Sequence, residues 1–144
     1  MNTLKPMAIL VHEGYQDLEF WYPLLRLREE GKPVTVIAAE PDKTYFSQLE
    51  YPVIADIGIA SAKGADYAGV FVPGGQSAQF IAGEPRMQAF IRDAAAGGAL
   101  LASISEGAAA IKAAGAKAVA REVTARGTND LPEFCKSLLA ALAK

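Results

Sequence analysis

Apolar residues in this chain fall into short continuous runs, and stretches with helical spacing separate them. Met7-Ala8-Ile9-Leu10-Val11-His12, Val34-Thr35-Val36-Ile37-Ala38-Ala39, Tyr67-Ala68-Gly69-Val70-Phe71-Val72 and Ala99-Leu100-Leu101-Ala102-Ser103-Ile104 each have strand length. Their near-unbroken apolar character is that of strands covered on both faces. Residues 17–30 predict a helix. Leu18, Trp21, Leu24 and Leu25 supply its apolar stripe, and Arg26, Arg28, Glu29 and Glu30 face water. Pro23 inside this stretch should kink the helix or lie near its start, and Gly31 stops it. Residues 7–39 therefore read as a β-α-β unit, whose crossover is almost always right-handed.

Thr44-Tyr45-Phe46 and Tyr51-Pro52-Val53-Ile54-Ala55 predict a small hairpin, and residues 56–65 a connection with a short helical turn. A helical turn is expected at residues 77–81. A longer helix opens at Pro85 and presents Met87, Phe90, Ile91, Ala94 and Ala95 at i, i+3, i+4, i+7 and i+8. Another helix follows Gly107 and ends near Gly115. Residues 118–125 predict a strand near the sheet edge, and Arg126-Gly127-Thr128-Asn129 a turn. Asp130-Leu131-Pro132-Glu133 has a form close to a capping box. It opens a last helix whose buried face is Phe134, Leu138, Leu139 and Leu142, with Cys135 beside it as a small apolar residue. The alternation predicts one α/β domain over residues 1–144, a three-layer sandwich around a mostly parallel sheet.

The 144 residues suffice for one sizeable core, and 51% hydrophobic with 21% charged residues is globular composition. A net charge of −2 without a basic block argues against nucleic acid as a partner. A single cysteine and a single histidine preclude an internal disulfide and any multi-histidine site within one chain. No apolar run reaches membrane length, so a cytoplasmic protein without a membrane partner is expected. No cofactor is implied.

Chemistry concentrates where the last buried strand meets its helix. Ser103-Ile104-Ser105-Glu106-Gly107 has the small-x-nucleophile-x-Gly spacing of a nucleophile elbow. Ser105 can instead cap the helix by accepting a first-turn amide. In a doubly wound sheet, ligands bind beyond the carboxyl ends of the strands at the switch point. The first strand delivers His12, Asp17 and Glu19 to that edge. The third long run delivers Gly74 and Gly75, and the elbow delivers Ser105 and Glu106. Each has a plainer role open to it. Glu19 favours a helix dipole, the glycines form a turn, Glu106 is a solvated first-turn acid, and His12 is a hydrogen-bonded structural residue.

The chain resembles the ThiJ/PfpI superfamily, of the PfpI-like intracellular protease or deglycase type. Gly14-Tyr15-Gln16-Asp17-Leu18-Glu19 is similar to its amino-terminal signature, and residues 67–75 to its strand-plus-PGG element. Ala102-Ser103-Ile104-Ser105-Glu106-Gly107 aligns with its A-x-I-C-H-G elbow, and residues 124–135 with its carboxyl-terminal motif. The resemblance implies a flavodoxin-like sandwich related to class I glutamine amidotransferases, assembled as a homodimer or higher homo-oligomer. It also implies a nucleophile at position 105 and a catalytic glutamate at Glu19.

The chain departs from that pattern at its chemical centre. Ser105 stands where the family has cysteine and Glu106 where it usually has histidine. A thiol is readily ionised at an elbow, but a hydroxyl needs a base within hydrogen-bond reach. A family strand and loop are also shortened or absent after Gly115. The first expectation is therefore a non-catalytic or small-molecule-binding homologue. The alternative is a hydrolase or glyoxalase/deglycase-like enzyme. In it Ser105 attacks, Glu19 is the base, and Gly75 with the Glu106 amide holds the oxyanion, Gly74 and His12 completing the substrate site. A third reading places a divalent ion on His12, Glu19 and Glu106.

Overall fold

A computed structural model of the chain describes residues 5–116 and 121–143. Its centre is a six-stranded parallel sheet in the order β5-β2-β1-β6-β7-β8. The strands are β1 (Met7–Leu10), β2 (Val34–Ala38), β5 (Ile57–Gly58), β6 (Gly69–Val72), β7 (Leu100–Ile104) and β8 (Glu122–Ala125). β3 (Thr44–Phe46) and β4 (Pro52–Ile54) form a separate antiparallel hairpin, as the sequence predicts. The helices are α1 (Asp17–Glu29), α2 (Ser77–Ala82), α3 (Pro85–Ala96), α4 (Gly107–Ala114) and α5 (Leu131–Leu142).

Alternating side chains of the strands feed two cores. Ile9, Val36, Phe71 and Ala102 meet Phe20, Leu24 and Leu27 of α1 and Phe134 and Leu138 of α5. Ala8, Ile37, Val70 and Leu101 meet α2, α3 and α4 on the other face. This is the expected three-layer α/β sandwich. Strand order reverses between β1 and β6, which pair directly at Ile9 and Phe71. A crevice opens beyond the carboxyl ends of strands at such a reversal, and β7 and its elbow lie next to it.

Three details differ from the sequence reading. The buried face of α1 is Glu19, Phe20, Pro23, Leu24 and Leu27, whereas Leu18 and Leu25 are 54% and 57% exposed. The apolar stripe was misphased because a carboxylate, Glu19, occupies the inward face. Pro23 lies inside the helix, as the sequence reading has it, and not near its start. The connection after the hairpin contains the two-residue edge strand β5 and two short 3-10 turns, Ile59–Ser61 and Gly64–Asp66. Asp130 forms no capping box; its carboxylate turns back to accept from the Arg126 amide at 3.2 Å. The start of the strand expected from Ala118, and part of the shortened segment after Gly115, lie outside the described residues.

Candidate active site

Gln16 sets the first carboxylate. Its side-chain oxygen accepts the Glu19 amide at 2.9 Å and so caps α1. The cap fixes the phase of the helix and turns Glu19 inward, where it is 4% exposed. Glu19 Oε1 accepts the Gly74 amide at 3.0 Å, and Oε2 accepts the Thr128 hydroxyl at 3.1 Å. The Gln16 amide in turn donates to the Gly74 carbonyl at 3.1 Å, so the loop after β6 is fastened to the start of α1. Only glycine fits at position 74. A Cβ there would collide with Glu19 Oε1 and come within 2.7 Å of Glu106 Oε1. Burial pushes the Glu19 carboxyl above its ordinary value; the Thr128 hydroxyl and Gly74 amide oppose this, and the Glu106 charge adds to it.

The elbow forms as the spacing predicts. Ser105 lies at φ 55°, a left-handed conformation that costs a non-glycine residue about 1–2 kcal/mol. Its amide continues the sheet ladder to the Ala125 carbonyl at 2.9 Å. Gly107 lets α4 pack directly on β6, because a Cβ there would overlap the Val72 carbonyl.

The elbow side chain does not cap α4. The Ser105 hydroxyl donates to Glu106 Oε1 at 2.6 Å, and the Gly75 amide donates to the same oxygen at 2.9 Å. The Gly75 amide, the Ser105 hydroxyl and the Glu106 residue's own amide hold this carboxyl below the usual carboxylate range. Two carboxylates thus converge on the PGG loop, and the pair splits into a raised, buried acid and a depressed, solvent-facing one.

Glu19, Gly74, Gly75, Ser105 and Glu106 come together as the sequence expected. The roles suggested for three of them meet different partners. The bond from Ser105 runs to Glu106 and not to Glu19, and the Gly74 and Gly75 amides already serve carboxylates. His12 stands apart. Its ring stacks on Phe80 at 4.8 Å and meets Tyr45 edge-on at 5.2 Å, and Nδ1 accepts the Glu13 amide at 2.8 Å. Burial, with the nearby Lys43 charge, pulls its imidazole below the ordinary value. Among the described residues no three histidine, cysteine or acidic side chains gather as metal ligands, so the grouping of His12, Glu19 and Glu106 does not form. An open cleft of about 710 Å³ runs between Gly14, Gln76 and the hairpin, and none of the elbow residues lines it.

Thr128 was missed as a site residue. It is separated from Glu19 by 109 positions, and only its place in the carboxyl-terminal motif gave a sign of it.

The sequence model of the DJ-1/PfpI family matches residues 5–122. An uncharacterized protein of Archaeoglobus fulgidus is 32% identical over 166 positions, covering 96% of this chain and 98% of that protein. That alignment is longer than the 144 residues here, so the relative carries insertions. The Escherichia coli protein/nucleic acid deglycase 2 is 30% identical over 90 residues, 62% of this chain but only 52% of its own length. Drosophila melanogaster DJ-1beta superposes with a TM-score of 0.89 at 18% identity, covering 98% of this chain and 91% of that one, which is a likeness of fold.

Proposed function

The chain belongs to the DJ-1/PfpI family, and on that premise we propose that it is a non-catalytic, small-molecule-binding member. One observation carries the reading: the Glu106 carboxylate fills the elbow. It takes the Ser105 proton donor and the Gly75 amide together, at 2.6 and 2.9 Å. Neither group is disposed for acyl transfer. The base that the hydroxyl faces is Glu106 itself, whose carboxyl is held below the usual carboxylate range and so takes up a proton poorly, and the Gly75 amide, which would have to point at a developing oxyanion, is occupied. Glu19, the expected base, has both oxygens engaged by Gly74 and Thr128. The deglycase activity named for the Escherichia coli relative would here have to run without the cysteine-histidine pair of the family pattern. A fluorophosphonate probe tests the reading by intact mass. Wild type should stay unlabelled, and a stoichiometric adduct that disappears in Ser105→Ala would refute it.

Self-association belongs to the same proposal. Helix α1 turns Leu18, Tyr22 and Leu25 outward at i, i+4 and i+7, and the hairpin tip adds Leu49, 80% exposed, and Tyr51. Trp21 meets Tyr51 edge-on at 5.5 Å, so helix and hairpin share one apolar face. A second copy related by a two-fold axis would bury this apolar face against its own equivalent. Sedimentation should give a dimer that Leu25→Glu converts to monomer; a monomeric wild type would remove the idea.

A further inference from the structure

We infer that Glu106 is an internal stopper for a carboxylate-binding cradle, and that the small molecule this site takes is a carboxylate whose oxygen replaces that of Glu106. The inference rests on the binding reading above and names its ligand class.

The cradle identifies its own chemistry. The Gly75 amide and the Ser105 hydroxyl converge on a single oxygen, Glu106 Oε1, from two different loops. Convergent donors of this kind are made for an anionic oxygen. The donors are also held independently of the carboxylate they serve. The Ser105 backbone is pinned by its amide, which donates a hydrogen bond to the Ala125 carbonyl at 2.9 Å. Gly75 is pinned by antiparallel bridging to Tyr15. Removal of the Glu106 side chain therefore leaves the Gly75 amide in place and unpartnered, with the Ser105 hydroxyl beside it on a fixed backbone, and this preorganisation lowers the cost of binding an outside ligand.

Glu106 can leave. The residue is exposed at the N-cap of α4, with water on its open side into which the side chain can turn. The exchange is also balanced in charge. One carboxylate departs and another arrives beside Glu19, so the site gains no repulsion that it does not already carry. An uncharged ligand would have to displace an ionised group from charge-assisted hydrogen bonds and would compete poorly. Binding is thus an intramolecular competition, and the stopper lowers the apparent affinity by the fraction of time that it occupies the cradle.

The test is a titration with sodium acetate followed by amide chemical shifts, on wild type and Glu106→Ala, with chloride as the ionic-strength control. Glu106→Ala should show saturable shifts at the Gly75 amide and at the amide of residue 106, at least tenfold tighter than wild type. Glu106→Gln, which keeps the shape of the stopper without its charge, should fall between them and serves if the alanine variant does not fold. Acetate cannot report turnover, so the result is independent of the fluorophosphonate outcome. A folded Glu106→Ala whose Gly75 amide ignores acetate would overturn the inference, as would equal affinity in all three proteins.

Discussion

The Ser105 hydroxyl donates to the carboxylate of its own neighbour, Glu106, at 2.6 Å, while Glu19 stands behind Gly74 with both oxygens engaged. Two carboxyls at one elbow therefore do different work. Glu19 fastens three segments together and is buried; Glu106 fills the open side. Consequences of that division can be measured separately.

Glu19→Gln should stabilise the protein at neutral and higher pH. The amide keeps an oxygen for the Gly74 amide and removes a buried charge. Because burial raises the Glu19 carboxyl in the folded state, its contribution is fully present below the unfolded pKa and is lost as pH rises through the folded one. The stability gap between variant and wild type should widen over that window and then level. Urea unfolding at a series of pH values checks this; a gap that narrows with rising pH contradicts it.

Gly74→Ala should destabilise by roughly 1–3 kcal/mol, the usual cost of overpacking. The added methyl would meet Glu19 and Glu106 together. The loss should shrink in a Glu19→Ala background, which a double-mutant cycle of unfolding free energies would read.

Ser103 is fully buried, and its hydroxyl has no hydrogen-bond partner among the described residues. Ser103→Ala should raise stability by about 1 kcal/mol, since it removes an unsatisfied group without leaving a large void. Thermal unfolding would report the gain as an upward shift of the midpoint, and a drop of similar size would show that the hydroxyl has a partner in solution.

Cys135 is buried between α5 and the sheet, and burial pushes its thiol up to about 11. It should ignore thiol reagents in the native protein at neutral pH and react at the rate of unfolding. Fast stoichiometric labelling without denaturant would contradict this placement.

Much of this could be read from residues alone, and the failures share a cause. Four long apolar runs marked the central strands because parallel strands are buried on both faces. The elbow was legible because close packing of α4 on β6 demands small residues at fixed positions, Gly107 above all. The face of α1 was misread because Glu19 breaks the apolar stripe at the position where the site needs a carboxyl. The hydrogen bonds that define the site join distant segments: Glu19 to Thr128, and Gly75 to Glu106. No periodicity encodes such pairings. The two-residue strand β5 was invisible for the same reason, since its place depends on β2 and not on its own length.

The most direct test of the central claim, that Ser105 is not a working nucleophile, is a matched turnover assay. Wild type and Ser105→Ala would be compared on methylglyoxal, small peptides and esters at equal folded concentration. The two should be indistinguishable, because the Ser105 proton is committed to Glu106 and the Gly75 amide is occupied. Turnover by wild type that vanishes in Ser105→Ala would make Ser105 a nucleophile and contradict the account.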